Sequence, residues 1–246
     1  MNPLIRTELL KLRTVRSPWL LLAASPLLVV AGASGLAISG NRPLDVVAQS
    51  QALAHVGLAS LFTLVFGILA VAGEYRHQTI TDTYLSTPAR GPVIGAKLLV
   101  YSAFGALAGV ASGVVGLAVT AAWWAGKGAS FAWADPAMWT TIGGGIAWNA
   151  AFAAIGVGVG ALVRSLVGAI AVALAWVALV EGIVGQLIGD LARWLPFNAG
   201  QALGAAAEPM MARDLLPRWG GGTVLVVYTF AFAVLAVGTS MRRDVS

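Results

Sequence analysis

GEYRHQTITDTYLSTPARGPVIGAK, residues 73–97, is a polar interruption between two long apolar runs. Glu74, Tyr75, Arg76, His77, Gln78 and Thr79 follow directly on residues 61–72, where Thr63 is the one polar side chain. Thr81-Asp82-Thr83 continues as a short amphipathic segment, and Pro88 ends it, because a proline inside the next helix would forfeit a hydrogen bond. Arg90 and Lys97 flank the start of the following apolar run. The stretch reads as a short helix running to Leu85, lying in water beside a bilayer and tethered by a membrane span at each end. Glu74, near its start, suits the positive end of the helix dipole.

Composition agrees with that setting. The chain has 246 residues, of which 59% are hydrophobic and 10% charged, and its mean hydropathy is +0.84. A soluble domain carries about a quarter charged residues, so this is a polytopic membrane protein with one domain, residues 1–246. Cysteine is absent, which removes disulfides and thiolate metal sites. His55 and His77 cannot make a metal site alone.

Outward from the loop, six apolar stretches have the roughly 20-residue length that crosses a bilayer. They are residues 19–38, 52–72, 98–124, 140–163, 166–188 and 223–241. Pro26 should kink the first. The third carries Gly105, Gly109 and Gly113, a small-residue ladder that permits close helix approach. Trp123 and Trp124 end it, where amphipathic rings favour the interface. Residues 41–51 read as a short polar loop. Residues 1–17 read as an interfacial amphipathic helix, with Leu4, Ile5, Leu9, Leu12 and Val15 on one side and Arg6, Thr7, Arg13 and Thr14 opposite. Glu8 falls on the apolar side and weakens that pattern. Residues 190–222 are too apolar for a free loop and too interrupted by Pro196, Pro209 and Pro217 for a span, so they read as short helices dipping into the outer leaflet.

Charge orients the bundle. The termini and the loops after spans two and four hold ten basic and four acidic residues, whereas the other side holds five of each. The positive-inside tendency therefore puts both termini and the 73–97 loop in the cytosol.

The order Gly-Glu-Tyr-Arg-His-x-Thr-Ile (73–80), then Thr-Pro-x-Arg (87–90), then Ala-Lys-Leu (96–98), set between spans two and three, resembles the permease subunits of type 2 ABC transporters. The resemblance implies an all-α fold of six transmembrane helices behind an N-terminal elbow helix, with both termini cytosolic. It implies a coupling loop over residues 74–95, where Glu74, Tyr75, Arg76, Thr79, Asp82 and Arg90 meet an ATPase, and an outer re-entrant segment over 190–222. Six spans would form half of an export path. The implied partners are a separate ABC ATPase subunit and a second permease subunit, identical or sister, amid membrane lipids, with no nucleic acid. The implied location is a bacterial plasma membrane.

The residues offer little chemistry of their own. The only Gly-Lys, at 126–127, lacks the leading glycine and the hydroxyl of a phosphate loop. No Gly-x-Ser-x-Gly and no His-Glu-x-x-His occurs. The chain is thus expected to be no enzyme and to hold no catalytic residue, cofactor or metal. ATP and Mg are expected on the partner ATPase. Clusterable polar or ionisable groups in the spans are sparse: Asn149, Glu181 and Gln186, candidates for a substrate path, and His55 near the outer start of span two. Glu181 reads equally as a path or proton-carrying carboxylate and as a buried glutamate paired with a neighbouring span. Two other functions stay open: a membrane enzyme acting on lipid head groups, and a half-size secondary transporter using Glu181.

Overall fold

The computed structural model describes residues 3–39, 45–87, 89–205 and 215–242. Among them the regular structure is entirely helical. Helix α1 (Pro3–Thr14) precedes α2 (Ser17–Ile38), the first span. Span two is built from three pieces, α3 (Val46–Leu53), α4 (His55–Leu58) and α5 (Ser60–Arg76). The polar stretch contributes the short α6 (Ile80–Ser86), and α7 (Arg90–Gly126) and α8 (Pro136–Val163) are spans three and four. Span five joins α9 (Leu166–Ala175), a π-helical turn (Trp176–Val180) and α10 (Glu181–Leu187). Then come α11 (Gly189–Ala192), α12 (Pro196–Leu203) and α13 (Arg218–Arg242), the sixth span. Six stretches, Pro18–Ile38, Val46–Arg76, Arg90–Gly126, Pro136–Val163, Leu166–Leu187 and Arg218–Gly238, are long and apolar enough to cross a membrane. The protein is an all-α, multi-pass membrane protein.

Several boundaries differ from the sequence expectation. Within the stretch 41–51, read as a loop, α3 begins at Val46; residues 40–44 lie outside the described residues. Asp45 starts α3 by accepting the Ala48 amide at 2.9 Å, an ordinary N-cap. Gln49 is 1% exposed because its side chain donates to the Ser130 carbonyl and accepts the Ala132 amide, both at 3.0 Å. Span three already begins at Arg90, with Pro92 tolerated in the first turn, and Lys97 is inside it. Span six begins at Arg218 instead of Thr223. Trp124 is buried within the bundle, and Trp123 turns its indole N–H to Ser34 Oγ at 2.9 Å. In the 190–222 segment, residues 206–214 lie outside the described residues; α12 packs on α8 and α13 through Gly200 against Trp148 and Ala199 against Gly221.

Glycines set the core. Spans two and four are 67% and 61% buried, while spans one and five are only 22% and 17% buried, so the middle of the bundle is the α5–α8 pair. A Cβ on Gly67 would run into the Ala153 carbonyl, and one on Gly156 into the Leu64 carbonyl. The two backbones therefore touch. The ladder on α7 packs as its spacing implies. Cβ atoms at Gly105, Gly109 and Gly113 would meet Ala153, Ile146 and Ile142 of α8 at 2.7–3.0 Å. In α2, Pro26 has no amide for the Leu22 carbonyl, and the Ser25 hydroxyl donates to that carbonyl at 2.9 Å.

Candidate functional site

The 73–97 stretch closes on itself through buried charge. Glu74 is in the last turn of α5, Lys97 in the third turn of α7, and Glu8 and Lys11 on α1. Lys97 Nζ donates to Glu74 Oε1 at 2.6 Å, to Glu8 Oε1 and Oε2 at 3.1 and 3.0 Å, and to the Ala70 carbonyl at 3.0 Å. Lys11 Nζ donates to Glu8 Oε1 at 2.9 Å and to Glu74 Oε1 at 2.7 Å. Two lysines and two glutamates thus form one neutral cluster joining α1 to both ends of the loop. Lys97 is 0% exposed and Glu8 3% exposed. Burying such charges costs several kcal/mol per ion unless each is paired and hydrogen-bonded; here each ion is paired, with Glu74 Oε2 left over. Burial works to lower the Lys11 pKa, but the carboxylates of Glu74 and Glu8 outweigh it and hold the ammonium above its ordinary 10.5.

The cluster corrects two sequence readings. Glu8 is on the apolar side of α1 because its partner is a buried lysine, so it completes the docking face instead of spoiling it. Glu74 does not begin the short helix and gains nothing from a positive dipole end. It closes α5, and α6 starts only at Ile80. Between them Gln78 takes a left-handed conformation, φ 58°, while the Thr79 amide reaches back to the Glu74 carbonyl at 3.0 Å. This is a Schellman ending with glutamine where glycine is usual.

Helix α6 has two faces. Ile80 and Tyr84 are buried with Val93 of α7, and Leu4 of α1 and Tyr75 pack against them. Thr81, Asp82 and Leu85 point outward, Leu85 at 76% exposure. Arg76, His77, Gln78 and Thr79 are exposed. Arg90 lies 4.8 Å over the Tyr84 ring, and Arg164, also left-handed at φ 58°, lies 5.3 Å over Tyr75. The latter contact ties the loop to the start of span five. Of the six residues expected to meet an ATPase, Arg76, Thr79 and Asp82 are thus on the surface, Tyr75 and Arg90 are half-buried, and Glu74 is inside. The sequence reading missed Leu85 as a surface residue; its signal was a leucine beside Tyr84 in a segment otherwise polar.

The three intramembrane candidates do not gather. Asn149 is 0% exposed; its amide donates to the Val56 and Gly145 carbonyls at 2.9 and 2.8 Å, and Thr63 donates to its backbone carbonyl at 2.9 Å. It supports the break in span two, where α4 ends. Glu181 is 2% exposed and accepts from the Phe197 and Asn198 amides at 2.9 and 3.0 Å and from Asn198 Nδ2 at 2.9 Å. It caps α12, so the geometry favours the buried-glutamate reading, with a helix end as the neighbour. Trp148 packs edge to face with both Phe152 and Phe197, which tilt against each other. Gln186 is exposed at the far end of span five.

No protein-family model matches the sequence, and no curated protein matches it.

Proposed function

We propose that this chain is the membrane permease subunit of an ATP-driven exporter of the type 2 ABC class, with α6 as the element a separate ATPase moves. The observation that carries the reading is the split character of α6. One face is locked into the bundle, and the other offers Leu85 beside Asp82 to a partner. Outside the spans, a leucine 76% exposed on the outward face of a seven-residue helix is available for a partner to contact. A push on α6 would reach spans two and three at once, because Glu74 and Lys97 join the spans on either side of it. In this reading both termini and α6 are in the cytosol of a bacterial plasma membrane. ATP and Mg belong to the partner, and a second permease subunit completes the path. The largely exposed spans one and five leave room for that second subunit.

The test is co-purification. Leu85→Asp and Arg76→Ala should keep expression and thermal stability near wild type while co-purified ATPase and export fall together. Normal ATPase capture and export by Leu85→Asp would remove the reading. Orientation is checked separately with the cysteine-free chain: a cysteine at exposed Ala134 should react with an impermeant thiol reagent from outside, and one at Gln78 should not. Gln49 is unsuitable for the outer label because it is buried.

A further inference from the structure

We propose that the cavity beside the charge cluster binds one phospholipid by its headgroup, and that this headgroup is zwitterionic with a primary ammonium, as in phosphatidylethanolamine. The cavity is a half-open cleft of about 380 Å³, with Lys11, Glu74, His77 and Thr79 on its polar edge and Val15, Leu69 and Tyr101 among its apolar walls. Pro18 and Leu166, which also line it, are where spans one and five begin. The cavity therefore sits at the level where hydrocarbon gives way to headgroups. Its volume is in the range of small-ligand pockets, so it would take a headgroup and leave the acyl chains to the bilayer.

Residual valence names the headgroup. Lys97 faces four acceptors and has no N–H to spare, and both oxygens of Glu8 accept. Lys11 donates to two carboxylate oxygens, which leaves one of its three N–H groups. Glu74 Oε1 takes two donors, but Glu74 Oε2 is buried without a partner. The neutral cluster thus has one donor and one acceptor left over, on two residues that line the same cavity. A phosphate answers Lys11, with His77 at the rim. An ammonium answers Glu74 once its carboxylate turns the buried Oε2 toward the cavity. A phosphatidylglycerol headgroup would set its negative phosphate beside an unanswered carboxylate, and choline has no N–H to give.

This inference does not rest on the export reading, and its test needs no ATPase. The purified chain in detergent is incubated with equimolar phosphatidylethanolamine, phosphatidylcholine and phosphatidylglycerol of identical acyl chains, and bound lipid is weighed by native mass spectrometry. One phosphatidylethanolamine per chain is expected, retained about tenfold over the other two, the size of one charge-assisted hydrogen bond. Leu69→Trp fills the cavity from its apolar wall while keeping all four cluster residues, and should abolish retention while the lipid-free melting temperature holds. Should that variant fail to fold, Val15→Trp, at a position 47% exposed, obstructs the same cavity from the rim. Equal retention of the three lipids, a preference for phosphatidylglycerol, no bound lipid, or retention undiminished in the folded tryptophan variant would each overturn the proposal.

Discussion

At one end of the bundle Glu8 and Glu74 lie against the ammonium groups of Lys97 and Lys11; in the second half of span five Glu181 lies against the amides of Phe197 and Asn198, with no salt bridge among the described residues. Both arrangements keep a carboxylate out of water, but they fail differently. A lysine can be deleted by mutation, and its loss strands the charges it answered. Backbone amides cannot be deleted, and a helix end can turn to other acceptors when its carboxylate goes. The ion cluster should therefore be brittle and the Glu181 cap forgiving.

Removing Lys97 is the hardest test of that contrast. Lys97→Met leaves two buried carboxylates sharing Lys11 and should cost about 3–5 kcal/mol, as for other broken buried pairs. It would appear as a lower melting temperature and a smaller monodisperse fraction in detergent. The charge-balanced pair Glu8→Gln with Lys97→Met should recover much of that loss; strictly additive costs would show that the four residues do not act as a unit. Glu181→Gln comes next. It keeps the volume and one acceptor oxygen, so about 1–3 kcal/mol is expected. Hydrogen exchange should rise at Phe197 and Asn198 and not in α1. Exchange rising equally at both ends would erase the distinction.

A smaller effect separates the two ends by pH. The folded pKa of Lys11 lies above its ordinary 10.5, so its contribution to stability is complete below the unfolded value and fades as pH climbs through the folded one. Alkaline melting curves should show wild type losing stability above about pH 10.5 more steeply than Lys11→Gln. Because the Lys11 side chain is 33% exposed, the difference should be modest. The smallest effect is a gain. Gln78→Gly relieves a left-handed residue at the end of α5 and should stabilise by no more than about 1 kcal/mol. A loss instead would mean that the Gln78 side chain holds the loop.

The six spans were legible because apolar runs of bilayer length have few other readings. The glycine ladder of α7 was legible because its spacing is itself the packing. Lys97 was not. A lysine beside an apolar run normally marks the water boundary, and only its partners 89 and 23 residues away draw it inside. Glu8 was visible as an anomaly, but an anomaly on a wheel does not name its counter-ion. Residues 46–51 were misread for a related reason. Gln49 looks like loop chemistry until Ser130 and Ala132, far along the chain, come to meet it. Likewise Glu181 announced a partner without identifying it, since nothing local shows that α12 returns its N-terminus to span five.

The contact between α5 and α8 also bears on how this sequence can drift. Every single-base change that replaces a glycine codon with another residue's introduces a side chain, and at Gly67 and Gly156 the first carbon already collides with a facing carbonyl. No neighbouring helix can shrink to answer it, because what it meets is main chain. Neutral steps away from these codons are therefore closed, and a compensating change would have to move a whole helix. Homologues that keep this bundle should therefore hold glycine at these two positions.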